Sequence, residues 1–213
     1  MKILAISTSS INASVALLDD DKLIQELNIS DQKTHSEKLM PLVQKLFETT
    51  GYTLDDIDLI ACDIGPGSFT GIRIGVATVK ALAEVKNIPV VGISSLEGLA
   101  YNVSGFDYIC SILDARNNQV YMAIFDKNYN LVSDYFADDI NNLTDIFKKY
   151  ENLAFVGDGT HLLNILEKFD NTIYSKNIGL AGYKKYQKNE ITNADNLSVM
   201  YLRPSQAERL RNK

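Results

Sequence analysis

Cysteine is scarce in this chain of 213 residues. There are two, Cys62 and Cys110, each inside an apolar strand-like run and at no metal-ligand spacing. They read as buried free thiols, which fits a reducing cytoplasm. Histidine is equally sparse: His35 and His161 each stand beside a helix start, in no H-x-x-x-H and no Cys/His cluster. A capping or solvated role accounts for both, and no protein-ligated metal is expected. No serine lies in G-x-S-x-G, and Ser68 has no evident base near it in sequence, so no catalytic residue is assigned. Long hydrophobic runs are absent too. No stretch approaches the roughly 18 apolar residues of a membrane span, so no membrane partner is expected. The opening MKILAISTSS has too short an apolar run, and no cleavage pattern after it, for a signal peptide, and reads as a strand. Four prolines and no low-complexity run leave no disordered linker. Positive charge is in deficit, 21 Lys and Arg against 27 Asp and Glu. A net charge of −6 is a poor basis for unaided nucleic-acid binding, which rests on neutralising phosphates.

What is present is apolar content, 46%, enough for one large or two small cores. KILAIS, ASVALLD and KLIQELNIS read as three strands, with an acidic hairpin turn at Asp19-Asp20-Asp21. From about Ser36 the period changes. Leu39, Leu42, Val43 and Leu46 form one helical stripe, with Gly51 as its C-cap and Pro41 marking a late start or a bend. DLIACDI is then a strand, residues 70–84 a helix, IPVVGI a strand and SLEGLAYN a short helix. The second half repeats the order. DYICSILDA, QVYMAIFDK and YNLVSDYF are strands, 139–150 a helix, LAFVGDG a strand, 160–169 a helix, NTIYS a strand and 181–187 a short helix. Two successive βββαβαβα units predict an α/β fold with helices covering each sheet, and an internal duplication divided near Ser104-Gly105. The expected domains are 1–103, carrying the partner-binding helices, and 104–213, ending in a helical tail.

GPGSFTG, Gly65 to Gly71, looks at first like a phosphate loop. It fails the P-loop pattern, because no Lys-Ser or Lys-Thr follows Thr70, and it fails G-x-G-x-x-G, because Gly71 comes one residue late. Pro66 also lacks the N–H that a phosphate cradle uses. A structural turn that presents Phe69, with Ser68 or Thr70 as N-cap, is the competing reading. In the helix that follows, only Arg73, Lys80 and Glu84 form a charged stripe. Its apolar arc is about twice the roughly 100° that covering one sheet requires. The helix is therefore buried between two layers of its own chain, or one face awaits a partner. Gly71 and Gly75, one turn apart, would let a second helix approach, and a bulky residue at Gly75 is expected to abolish assembly with the fold intact.

GPGSFTGIRIG, with THSEKLMP upstream and ISSLEGLA, LDARNNQVY and YLRPSQAERL downstream, closely resembles the bacterial TsaB (YeaZ) family over almost the whole chain. The resemblance implies the duplicated fold shared by actin, sugar kinases and heat-shock ATPases. It implies a non-catalytic scaffold subunit in the transfer of threonylcarbamoyl to the adenosine beside the anticodon, in tRNAs reading codons that begin with A. The transferase centre would belong to a TsaD-type partner, with a TsaE-type ATPase completing the set and tRNA engaged through the complex. The chain alone would be a homodimer through the first-half helices, the same face recruiting the transferase. Partner-binding residues are then Leu39, Leu42, Val43, Leu46, Phe69, Gly71, Ile72, Arg73, Gly75, Val76 and Val79. No cofactor is expected in the isolated chain, and ATP or ADP only in the complex. Ser95 and Leu99 stand where the transferase paralogue carries two metal-binding histidines, and Ser7 where many relatives have an aspartate. Ser7, Asp114, Arg116, Gly157 and Gly159 are the candidate nucleotide contacts under the alternative of an actin-like ATP hydrolase or kinase. A third reading is direct tRNA binding by the tail, which has Arg203, Arg209, Arg211 and Lys213 against Glu208.

Overall fold

The first strands are apolar at consecutive positions, so both of their faces must be covered. The computed structural model describes residues 1–30, 35–165 and 169–203 and shows how this is achieved. Two compact units divide the chain: Met1–Gly98 with Ile173–Val199, and Leu99–Thr172 with the described residues from Met200 onward.

In the first unit, β1 (Lys2–Ser7), β2 (Ala13–Asp19), β3 (Lys22–Ile29), β4 (Leu59–Asp63) and β5 (Val90–Ile93) form one sheet in the order β3-β2-β1-β4-β5. β1–β2 and β2–β3 are antiparallel hairpin pairs, while β1–β4 and β4–β5 are parallel. α1 (His35–Thr50) and α2 (Phe69–Lys86) cover one face, where Leu4, Ile6, Val15, Leu17, Ile60 and Val90 meet Leu39, Leu42, Leu46, Ile72, Val76 and Val79. α1 runs unbroken through an exposed Pro41 and ends at Gly51 (φ 75°), whose N–H donates to the Phe47 carbonyl (2.9 Å). A short helix, α3 (Ser95–Ala100), follows β5.

The second unit contains β6 (Tyr108–Asp114), β7 (Gln119–Asp126), β8 (Phe136–Asp139), α4 (Ile140–Phe147) and β9 (Leu153–Val156). Its sheet order, β8-β7-β6-β9, repeats β3-β2-β1-β4 with the same two antiparallel pairs and one parallel pair. The duplication read from the sequence is thus present in the wiring.

Several elements differ from the sequence reading. The third strand of the repeat is β8. YNLVSDYF contributes to it only Phe136, with Leu131 held by an isolated bridge to Phe125. The helix expected over 160–169 is a 3-10 turn, Asp158–Leu163, closed by Asn164 in the left-handed region (φ 54°); residues 166–168 lie outside the described ones. NTIYS is not a strand. The last helix, α5, spans Ser175–Gln187 and begins six residues early. Its first N–H groups find acceptors on the distant hairpin: Ser175 donates to Ser14 Oγ (3.1 Å) and Lys176 to Glu26 Oε1 (2.9 Å). That reading placed this helix in the second half. Instead α5 covers the other face of the first sheet, where Gly179 sits against Leu18 and Ala5 and Gly182 against Ala61 and Val91. A Cβ at either glycine would come within 2.7 Å of those side chains, so glycine sets the helix–sheet distance.

Candidate protein-docking face

The C-terminal ends of β1 and β4 lie side by side because the strands are parallel, and the chain leaves both there through tight turns. Asp63, the last residue of β4, is almost wholly buried. Its Oδ2 accepts hydrogen bonds from Ser7 Oγ (2.6 Å) and Ser9 Oγ (2.5 Å). Its Oδ1 accepts from Ser95 Oγ (2.6 Å) and the Gly65 N–H (3.0 Å). Burial pushes the carboxyl above its usual range, and the three hydroxyls and the N–H pull it part of the way back. The neighbouring thiol of Cys62, and that of Cys110 in the second unit, are pushed well up by burial alone or nearly so.

The GPGSFTG loop rests directly on the turn after β1. The Ser68 N–H donates to the Ser9 carbonyl (2.7 Å), and Thr8 Oγ1 donates to the Gly71 carbonyl (2.8 Å). His35 Nε2–H donates to the Ser10 carbonyl (2.9 Å), adding the start of α1 to the same joint. Ser68 is the N-cap of α2, accepting from the Gly71 N–H (3.2 Å). A Cβ on Gly67 would lie 2.3 Å from the Ser9 carbonyl oxygen, one on Gly71 2.1 Å from that of Thr8, and one on Gly75 2.4 Å from Thr8 Oγ1. These glycines permit close approach to the chain's own turn. What they approach is the turn after β1 and, for Gly71, also the His35 ring at the start of α1 (3.0 Å), so a bulky residue at Gly75 would disturb the fold before it disturbed any assembly.

Burial corrects the rest of the partner list. Leu39, Leu42, Val43, Leu46, Ile72, Val76 and Val79 are core residues of the first unit, and Gly71 and Gly75 are buried beside them. A stripe at helical spacing here marks contact with the chain's own sheet. Phe69 and Arg73 do open to solvent, Phe69 being 38% exposed with the Arg73 guanidinium 3.9 Å over its ring. The outward row of α2 continues every four residues through Ala77 and Ala81 to Val85, which is 69% exposed. Half-buried Ile74, Thr78 and Leu82 flank it, and Met40 of α1, 46% exposed, is a further apolar side chain open on this layer. The sequence reading named Phe69 and Arg73 of this row but not Ala77, Ala81 or Val85. Of the charged stripe, Arg73 and Glu84 are exposed, while Lys80 is half-buried and its Nζ donates to the Asp195 carbonyl (3.0 Å).

The candidate nucleotide contacts fall in different units. Ser7 is buried and engaged with Asp63. In the second unit, Asp114, Arg116, Gly157 and Gly159 gather where β6 and β9 end. The Arg116 N–H donates to Asp114 Oδ1 (2.7 Å) and the Asp114 N–H to Asp158 Oδ1 (2.9 Å). Cβ atoms on Gly157 and Gly159 would come 2.0 and 2.5 Å from the Ile112 carbonyl oxygen and side chain, so both glycines serve packing against β6. Ser95 donates to Asp63, and Leu99 is fully buried. Among the described residues, no three His, Cys, Asp or Glu side chains are grouped to hold a metal. No described helix is long and apolar enough to cross a membrane. Of the basic tail only Arg203 is described; Arg209, Arg211 and Lys213, with Glu208, lie outside the described residues.

A family model described as TsaD, tRNA N6-adenosine threonylcarbamoyltransferase, matches residues 23–201. The tRNA threonylcarbamoyladenosine biosynthesis protein TsaB of Bacillus subtilis is 38% identical over 167 residues, 76% of this chain and 73% of that protein. The chain belongs to the TsaB (YeaZ) family. The Escherichia coli TsaB is 35% identical over 133 residues, 61% of this chain and 57% of that protein. The solved structure of YeaZ from Pseudomonas aeruginosa superposes with a TM-score of 0.78 at 25% identity, covering 94% of this chain and 99% of that one. The activator of 2-hydroxyisocaproyl-CoA dehydratase from Clostridium difficile, solved with bound ADPNP, has a TM-score of 0.52 at 12% identity over 94% of this chain and 100% of that one. That likeness concerns the fold, and it agrees with a duplicated actin-like architecture. The TsaB-family loop GPGSFTG therefore stands here as a brace between α2 and the turn after β1.

Proposed function

We propose that this chain serves in tRNA threonylcarbamoyladenosine biosynthesis as a non-catalytic scaffold subunit that binds and stabilises a TsaD-type transferase. The observation that carries the reading is the outward row that begins with Phe69 and Arg73, runs uncharged from there through Ala77 and Ala81 to Val85, and is braced at its start by the GPGSFTG loop. Exposed apolar surface of this kind marks interaction sites, and each large aliphatic covered there adds about 1.5–3 kcal/mol to a contact. The relatives' names supply the pathway, and the family model that matches 23–201 is that of the transferase, in keeping with a paralogous pair. Alone, the chain would pair with itself through the same row. In the complex it would meet the transferase there, with a TsaE-type ATPase and tRNA reached only through the assembly. The modified tRNAs would be those reading codons that begin with A.

Ala81→Arg tests the reading, since it puts a charge in the middle of the row without touching the core. Calorimetry should show at least a tenfold loss of affinity for the TsaD-type subunit. Nucleoside mass spectrometry of tRNA from depleted cells should show threonylcarbamoyladenosine restored by the wild-type chain and not by this variant. Full binding and full rescue by Ala81→Arg would remove the proposal. Phosphate release from ATP by the purified chain alone would favour the hydrolase or kinase alternative.

A further inference from the structure

Asp63 is a charged group at the base of the loop, at a place where the scaffold role gives it nothing to do. It lies within the sheet end, and its two oxygens hold separate pieces of chain. Oδ2 takes the hydroxyls of Ser7 and Ser9, at the end of β1 and in the turn after it. Oδ1 takes the Gly65 N–H, from the loop, and the Ser95 hydroxyl, from the start of α3. The Ser95 N–H in turn donates to the Gly65 carbonyl (2.9 Å), closing a ring around the first loop residues. Ser9 then passes the connection on, its carbonyl accepting from Ser68, the cap of α2 and the residue before Phe69.

We infer that Asp63 is the positioning residue of the docking face: its carboxylate clamps the turn after β1 to the GPGSFTG loop, and so fixes where α2 begins and where Phe69 stands. The inference rests on the docking reading for its consequence, though not for its geometry. A carboxylate suits the place because it accepts at both oxygens and donates at neither, matching four converging donors. A neutral amide would keep one acceptor and turn a donor toward Ser7 and Ser9, whose hydroxyls would have to reverse. Ser7 and Asp63 end neighbouring parallel strands, and their side-chain oxygens are 2.6 Å apart. A carboxylate delivered from position 7 would therefore bring its charge within one hydrogen-bond length of where Asp63 Oδ2 stands.

The test compares Asp63→Asn, the exchanged pair Ser7→Asp with Asp63→Ser, and Ala81→Arg in the full chain. Affinity for the TsaD-type subunit is measured together with amide hydrogen exchange at Gly65, Ser68 and Gly71. Asp63→Asn is expected to exchange at least tenfold faster at those three amides, with β6 amides unchanged, and to bind at least tenfold more weakly. The exchanged pair is expected to return both quantities to within threefold of wild type, which a merely space-filling aspartate would not. Wild-type exchange and affinity in Asp63→Asn overturn the inference, as does an exchanged pair no better than Asp63→Asn. If Ala81→Arg binds normally while Asp63→Asn exchanges fast and is rescued, the positioning role stands and the docking face has been misplaced. If Ala81→Arg fails to bind while Asp63→Asn is unaltered, the face stands and the positioning role falls.

Discussion

The contact between Gly75 and Thr8 gives the sharpest quantitative check on the loop's role. A Cβ at position 75 would lie 2.4 Å from Thr8 Oγ1, well inside the 3.0 Å such contacts observe, and the next atoms of Thr8 are 3.7 and 3.9 Å away. The clash is thus with a single atom. That atom cannot swing aside freely, because Thr8 is fully buried and its hydroxyl is spent on the Gly71 carbonyl. Overpacking of this kind costs about 1–3 kcal/mol. The gain in helix propensity from Gly to Ala offsets about 1 kcal/mol of it. Gly75→Ala should therefore lose about 0–2 kcal/mol. Thr8→Ala should lose about 1 kcal/mol for the hydrogen bond. In the double variant the clash is gone and the helix gain remains, so the pair should be more stable than the sum of its parts by about 1–3 kcal/mol. Urea unfolding followed by far-UV circular dichroism would measure the cycle. Thr8→Val is the control: it leaves a methyl where the hydroxyl was and should not relieve Gly75→Ala. Additivity within about 0.5 kcal/mol, or relief by valine, would refute the claim that Gly75 exists for the turn after β1.

Other consequences follow from the buried charges and the exposed row. Glu97 is buried with its Oε2 3.0 Å from Lys185 Nζ, and burial raises its carboxyl while Lys185 opposes the rise. Lys185→Met should cost about 3 kcal/mol in chemical denaturation and raise the Glu97 carboxyl further, which side-chain carbon NMR would follow. Because the Asp63 carboxyl is raised in the folded chain, its favourable contribution is complete below the unfolded value of 3.8 and is lost as pH climbs through the folded value. Wild-type stability relative to Asp63→Asn should therefore fall as pH climbs from about 4 through the folded value, and a flat difference curve would contradict the direction of that shift. Ala81→Arg, lying on the solvent face of α2, should change stability by no more than about 0.5 kcal/mol, so any larger loss would mean that the row is packed.

The local grammar of the chain was legible where near neighbours decide structure. Gly51 closes α1 because it is the residue that tolerates φ 75° at that cap, and Ser68 caps α2 through a hydrogen bond three residues away. The repeat was legible as well, because successive apolar strands can be counted without knowing where they pair. The start of α5 was not, since Ser14 and Glu26, more than a hundred residues earlier, satisfy its first turn. NTIYS, apolar and β-branched enough for a strand, lies in none.

For the site, the sequence alone determined the family, through GPGSFTGIRIG and the motifs around it, and the presence of an unusually apolar helix after the loop. Only the tertiary structure decided which side of that helix is free. Periodicity tells which residues share a face but carries no sign: Leu39 to Leu46 and Ile72 to Val79 turn inward, and Phe69 to Val85 outward, because the first sheet lies on one side of them. The same holds for Asp63. A carboxylate at the end of an apolar strand looks exposed until Ser7, Ser9 and Ser95 arrive from two other strand ends to surround it.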